Sequence, residues 1–252
     1  MPKSKTIVLI NGNFVNDLSW TEWKLHLEQK GYTVYAPANP GKEGNTGALR
    51  AQVHSDPIKT GFIDVVNNNA ELINILPEKQ LIIGQSRAGM GTFKLGEMRK
   101  AAAGVTIDSA LPKNLFPPYQ TLKNVIPAFG FFSSKKYFTV SRKWYDYAFF
   151  NTLPEKEKEK SFHKYAVPES HKVSRQLVLN SFSNKNFKKP HAPILLVGIG
   201  SDNIFPPNYK KTIASRYKDV NSRVDIKIFE GKSHFISGVP DGEKVADYIL
   251  DW

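Results

Sequence analysis

Cysteine is absent from all 252 residues. That excludes disulfides, thiolate zinc sites and a cysteine nucleophile, and it leaves the redox compartment undetermined. No apolar run approaches the roughly 20 residues that a membrane-spanning helix needs. With 40% hydrophobic and 12% aromatic residues the composition is that of an ordinary globular protein, so a soluble chain is expected. The opening Met1-Pro2-Lys3-Ser4-Lys5 runs straight into a strand-like segment without the apolar stretch of a secretory signal, and a cytoplasmic location is expected. No histidine pair has metal-ligand spacing and no phosphate-binding loop pattern occurs, so neither a metal nor another cofactor is expected. Acids are scarce beside bases, 23 Asp and Glu against 35 Lys and Arg, for a net charge of +12. Such an excess raises the question of nucleic acid or an anionic membrane as partner. The distribution argues against both. Lysines alternate with acids, as in Glu155-Lys156-Glu157-Lys158-Glu159-Lys160, the pattern of a solvated helix face. The most one-signed stretch, Ser134 to Lys143, carries no nucleic-acid module motif and reads as a basic rim. The expected partner is a small-molecule substrate, with oligomeric state left open.

What the chain does have is an alternation of strand and helix patterns. Thr6-Ile7-Val8-Leu9-Ile10 is a continuous apolar run of strand length, the signature of a strand covered on both faces of a parallel sheet. Ser19 and Glu22 then have capping-box spacing, Trp20, Trp23 and Leu27 share a helix face, and Gly31 is placed to end the helix. A second strand at Tyr32–Tyr35, a Pro- and Gly-rich loop, a helix over about 58–76 and a strand at 81–83 follow. After a helix over about 88–100 comes a strand ending at Asp108. The rhythm breaks from about 111 to 190 with prolines at 112, 117, 118 and 127, an aromatic-rich stretch and a charged helical run without strand signal. Trp144, Tyr145, Tyr147, Phe149 and Phe150 are too many for a solvated loop and point to an insertion with its own core. Alternation resumes with strands at 194–198 and 224–229, a helix over about 208–218 between them, and a last helix presenting Val245, Tyr248, Ile249 and Trp252 on one face. The implied architecture is α/β: one domain with a mostly parallel sheet of about six strands, helices on both faces and right-handed crossovers. Its core comprises 1–111 and 190–252, and a helical cap insertion spans 112–189.

One stretch carries the chemistry. In Leu81-Ile82-Ile83-Gly84-Gln85-Ser86-Arg87-Ala88-Gly89 an apolar strand ends in a serine among small residues, as a sharp strand-to-helix turn requires. A serine hydroxyl is a poor nucleophile unless a base, itself oriented by an acid, stands within hydrogen-bond reach. Gly200-Ser201-Asp202-Asn203 follows one later strand, and Gly231-Lys232-Ser233-His234-Phe235 follows the last. Both therefore fall at the carboxyl edge of the sheet, where Ser86 emerges and where open α/β sheets bind ligands. Of the six histidines only His234 follows a terminal strand. Asp108 also ends a strand at that edge, but Asp202 is favoured as the acid because its turn lies one strand from His234.

The elbow resembles the Gly-x-Ser-x-Gly motif of the α/β-hydrolase family, with Ala88 where the second glycine is usual, and Ser86, Asp202, His234 stand in that family's triad order. Leu9-Ile10-Asn11-Gly12-Asn13-Phe14 resembles the family's His-Gly-x-x motif, with Asn11 replacing the histidine. The resemblance implies an oxyanion hole made by the backbone N–H groups of Asn13 and Arg87. Trp20 falls where members related to plant esterases and hydroxynitrile lyases carry a tryptophan. The segments 105–112 and 147–154 look like a group of bacterial members of unassigned substrate, and the chain opens on what corresponds to the family's third strand. The implied activity is cofactor-independent hydrolysis of a small carboxylic ester, thioester or lactone through an acyl-enzyme. A carbon–carbon bond hydrolase, lyase or cofactor-free peroxidase on the same triad, or a non-catalytic ligand-binding member, are the alternatives. The Arg87 side chain either pairs with an acid or reaches the pocket mouth to favour substrates bearing a carboxylate.

Overall fold

The run Thr6–Ile10 forms β1 and is buried at every residue. Ile7 and Leu9 enter one core, Val8 and Ile10 another, which is why the strand shows no polar alternation. The computed structural model describes residues 4–53, 59–98, 101–129 and 136–252. After β1 come α1 (Thr21–Gln29), β2 (Thr33–Tyr35), α2 (Thr46–Gln52), α3 (Phe62–Ile75), β3 (Gln80–Gln85), α4 (Arg87–Glu97) and β4 (Ala101–Ile107). The segment between β4 and the next sheet strand holds α5 (Tyr119–Phe129), β5 (Tyr137–Phe138), α6 (Arg142–Ala148), α7 (Glu155–Tyr165), β6 (Glu169–Ser170) and α8 (His171–Leu179). The chain closes with β7 (Ile194–Ile199), α9 (Tyr209–Ala214), β8 (Val224–Phe229) and α10 (Gly242–Asp251).

The main sheet has six strands in the order β2-β1-β3-β4-β7-β8, every neighbouring pair parallel. The chain winds outward from β1 to β2, then returns to β3 and winds the other way. The crevice beyond the carboxyl ends of β1 and β3 is therefore the topological switch point, the usual ligand position of such sheets. Trp20, Trp23 and Leu27 of the first helical unit pack with Val245 and Ile249 of α10 on one face. Phe62, Val66, Phe93 and Ile213, from α3, α4 and α9, cover the other.

Several details differ from the sequence expectation, among them a helix, α2, inside the expected loop. The first helical unit begins as a 3-10 turn over Asp17–Trp20 whose cap is Asn16, its side chain accepting from the Leu18 N–H, while the Ser19 hydroxyl bonds back to the Asn16 carbonyl instead of capping. The insertion does contain strand: β5 and β6 pair antiparallel over two residues each, too short to leave a periodic signal. Tyr147 is 47% exposed, whereas Tyr145, Phe149 and Phe150 are buried in the core shared with the sheet. The helix after β3 ends at Glu97, short of the expected 100. Residues 58, 99 and 100 of the expected helices, and 134 and 135 of the expected basic rim, lie outside the described residues.

Candidate active site

Ser86 sits between β3 and α4 with φ 57° and ψ −124°, a backbone conformation that costs a non-glycine residue on the order of 1–3 kcal/mol. Three backbone bonds hold it there: the Ser86 N–H donates to the Ile107 carbonyl at 2.8 Å, and its carbonyl accepts from Gly89 at 3.0 Å and Ala110 at 2.9 Å. A Cβ on Gly84 would collide with the Ala88 carbonyl and the Thr92 hydroxyl, and one on Gly89 would lie 2.5 Å from the Ser109 Cβ. The tight helix–strand approach thus falls on Gly89, one position after the usual second glycine, and a fully buried alanine fits at 88. Arg87 is the first residue of α4, so its N–H has no acceptor within the helix and lies at the positive end of the helix dipole.

The structure brings Asp202 and His234 together. Asp202 Oδ2 lies 2.7 Å from His234 Nδ1, and both side chains are wholly buried. Asp202 Oδ1 accepts from the Ile204 N–H at 2.6 Å and the Phe205 N–H at 3.2 Å, which fixes the carboxylate plane. Burial opposes its ionisation, but the charge and hydrogen bond of His234 and the Ile204 N–H together hold its pKa below the ordinary carboxylate value. The His234 ring lies between Phe149, edge-on at 5.0 Å, and Phe205 at 5.8 Å. Its Nε2 is buried without a hydrogen-bond partner among the described residues. The Gln85 side-chain amide donates to the His234 carbonyl, tying the residue before Ser86 to the histidine loop.

The loop after β1 closes over the serine: a Cβ on Gly12 would lie 2.9 Å from the Ser86 Cβ and 3.4 Å from its Oγ. Asn11 takes over the internal bonding of this loop, its side-chain amide donating to the Val15 carbonyl at 2.9 Å. Phe14 has φ 63°, and its carbonyl accepts from the Tyr145 hydroxyl at 3.1 Å and the Val167 N–H at 3.0 Å, so the insertion grips the loop beside Asn13. The Arg87 guanidinium is buried and donates to the Asn11 and Gly12 carbonyls. Among the described residues it forms no ion pair with an acid, and its burial keeps it from a solvent-facing mouth. Burial lowers its pKa, and nearby Glu169 opposes that.

Sequence reasoning missed two buried ion pairs behind these groups. Lys42 pairs with Glu169, each 2% exposed. Burial lowers the lysine's pKa, Glu169 opposes the shift, and Arg87 is close enough to lower it further. Lys210 Nζ lies 3.0 Å from Asp108 Oδ1 behind Asp202. Neither lysine carries a local signal, since a lysine in a Gly-rich loop or a short helix ordinarily faces water. Asp108, Asp202 and His234 offer donor atoms within 4.8 Å of one another, but these atoms do not make a metal centre: Asp202 and His234 bond each other, and the Lys210 ammonium takes the cation's place on Asp108. An apolar cavity of about 150 Å³, which neither Ser86 nor His234 lines, is walled by Ala110, Leu111, Thr121, Val125, Leu177 and Phe205. Phe205 thus faces both cavity and His234, while Ala110 bonds the Ser86 carbonyl.

These features define a chain built around a strand-to-helix serine and an Asp–His pair on one sheet edge. It belongs to the alpha/beta hydrolase fold family, which matches residues 5–237. No curated protein matches it by sequence. Among solved structures it is similar to a mutant form of polyneuridine aldehyde esterase, with 17% identity, 99% of each chain covered and a TM-score of 0.70. It is also similar to an extracellular α/β-hydrolase from a Paenibacillus species, described as sharing structural and functional homology with tobacco salicylic acid binding protein 2, at 20% identity, 98% of each chain and a TM-score of 0.71. A monoacylglycerol lipase from Paleococcus ferrophilus matches at 20% identity over 98% of this chain and 93% of its own, with a TM-score of 0.71. At such identities the likeness is one of fold.

Proposed function

We propose that this protein is a cofactor-independent serine hydrolase of small carboxylic esters, thioesters or lactones, with Ser86 as nucleophile, His234 as base, Asp202 as acid and the N–H groups of Asn13 and Arg87 as oxyanion hole. The observation that carries the reading is the 2.7 Å contact between His234 Nδ1 and Asp202 Oδ2, made between two fully buried side chains, with Nε2 left free of a partner among the described residues. An imidazole so held keeps its proton on Nδ1 and its lone pair on Nε2, the tautomer a general base needs. Ser86 Oγ attacks the carbonyl carbon while its proton passes to Nε2. The oxygen that becomes negative is held by the two backbone donors, and the alcohol or thiol leaves with the proton from Nε2. Water, deprotonated by the same nitrogen, then releases the acid from the acyl-Ser86.

The apolar cavity, joined to the site through Phe205 and Ala110, has room for one benzene-sized group of a substrate in its roughly 150 Å³. Residues 112–189 act as the cap on a core of 1–111 and 190–252, gripping the oxyanion loop through Tyr145 and Val167. We place the activity in the cytoplasm, on a small molecule, without nucleic-acid or membrane partners; among the described residues no helix is long and apolar enough to cross a membrane. The test is fluorophosphonate labelling of the intact protein, followed by a panel of p-nitrophenyl esters and lactones. Label should map by mass spectrometry to the peptide containing Ser86 and vanish in Ser86→Ala. A label that persists in that variant, or a wild type that binds ligand and never labels, would place the protein among the fold's binding members.

A further inference from the structure

Asp108 closes β4 in a conformation that a non-glycine residue adopts rarely, φ 39°, and its side chain is wholly buried. One oxygen is well served: Oδ1 accepts from the Ile199 N–H at 3.1 Å and lies 3.0 Å from Lys210 Nζ. The other, Oδ2, is buried and meets no donor among the described residues. The Asp202 carboxylate lies alongside Asp108, since one donor atom from each of Asp108, Asp202 and His234 falls within a 4.8 Å cluster. If both carboxyls were ionised, an undonated oxygen would face a like charge and a single ammonium would serve two buried anions. A buried cluster with one uncompensated charge is expensive. One proton removes the orphan acceptor, the repulsion and the excess charge together.

We propose that Asp108 is held in its protonated form and donates Oδ2–H to the Asp202 carboxylate, while Lys210 balances the single negative charge that the two carboxyls share. Asp108 is thereby a positioning residue for the group that orients His234. The role rests on Asp202 being the triad acid, but the protonation does not. Asp202 then receives hydrogen bonds from the Ile204 and Phe205 N–H groups, from Asp108 and from His234, which leaves it ionised and rotationally fixed. The charged and titratable groups facing Asp108 are Lys210 from α9, Asp202 from the loop after β7 and, through Asp202, His234 from the loop after β8. The two carboxyls are driven apart in the expected sense. Burial pushes Asp108 well above the ordinary carboxylate range, with Lys210 opposing and Asp202 adding to the rise, while Asp202 is held low.

The folded state therefore keeps a proton that the unfolded chain releases above the ordinary carboxylate pKa. From there up to its raised folded value Asp108 makes stability fall as pH rises, a slope that Asp108→Asn removes. Infrared spectroscopy of the intact protein carrying isotope-labelled aspartate reads the proposal without any variant or activity. A protonated aspartic acid carbonyl band is expected at neutral pH and is lost in Asp108→Asn. Because an amide also donates, Asp108→Asn should keep kcat within about threefold of wild type, whereas Asp202→Asn loses on the order of 10⁴-fold. Only carboxylate bands at neutral pH, or an Asp108→Asn protein destabilised as a stranded Lys210 ammonium would make it, would overturn the proposal. If the protein proves to have no hydrolase activity, the infrared band and the pH slope still decide it.

Discussion

The Arg87 guanidinium donates from Nη2 to the Asn11 carbonyl at 2.9 Å and to the Gly12 carbonyl at 3.4 Å, so the side chain that follows the nucleophile holds the loop that covers it. In the proposed mechanism both oxyanion donors then depend on one residue. Its own N–H supplies the first, and its side chain fixes the segment that supplies the second, Asn13. Arg suits the task because its charge persists when buried and its donors are set in a rigid plane. Lys42 and Glu169 complete a buried cluster in which two cations share one anion.

Arg87→Met should lower kcat by about ten- to a hundredfold, the scale of a misplaced oxyanion donor, with KM little changed. The loss should be equal for neutral esters and for esters bearing a carboxylate, because the guanidinium is spent on the Asn11 and Gly12 carbonyls. Steady-state kinetics on a matched pair of such esters checks this; selective loss on the anionic ester would mean that Arg87 binds substrate.

Glu169→Gln should behave in the opposite way, acting first on stability. It strands Lys42 and Arg87 as buried cations without an anion, and breaking one side of such a pair typically costs about 3–5 kcal/mol. Denaturant melts should show a lowered midpoint, and the double variant Glu169→Gln with Lys42→Met should recover much of the loss. No recovery would show that Glu169 stabilises through something other than its charge.

Gly12→Ala places a methyl group 2.9 Å from the Ser86 Cβ and 3.4 Å from its Oγ. Neither neighbour can give way easily, since Ser86 is fixed by three backbone bonds. The expected result is a fall in kcat/KM of about a hundredfold, the scale of an ångström-sized misplacement, together with slower fluorophosphonate labelling. A variant that labels at the wild-type rate would mean that the loop shifts freely.

The parallel sheet was legible in the sequence for a physical reason. A run such as Ile7 to Ile10 between turn signals is the pattern of a strand covered on both faces, and parallel strands joined by helices bring the turns at Ser86, Asp202 and His234 to a single edge. What was illegible is long-range and polar. Whether Lys42 faces water or an acid depends on Glu169, 127 positions away in sequence. Lys210 likewise depends on Asp108, which stands on the far side of the insertion, and no local pattern records such pairing. The two-residue ladder of β5 and β6 and the shift of the cap from Ser19 to Asn16 are too local in the other direction, each set by a few hydrogen bonds that several nearby residues could have made.

The final prediction concerns whether Ser86, His234 and Asp202 act as one unit. Asp202 bonds His234 at 2.7 Å, and Gln85 links the histidine loop to the residue before Ser86, so the loss of one member leaves the others without a task. Ser86→Ala, His234→Ala and the double variant should therefore lose similar amounts of kcat, because removing a second member of a broken relay costs little more. Asp202→Asn should lose on the order of 10⁴-fold, since the amide favours the wrong imidazole tautomer while leaving the shape intact. If the single losses instead multiplied in the double variant, Ser86 and His234 would be contributing independently, and the acyl-enzyme route through this serine would have to be abandoned.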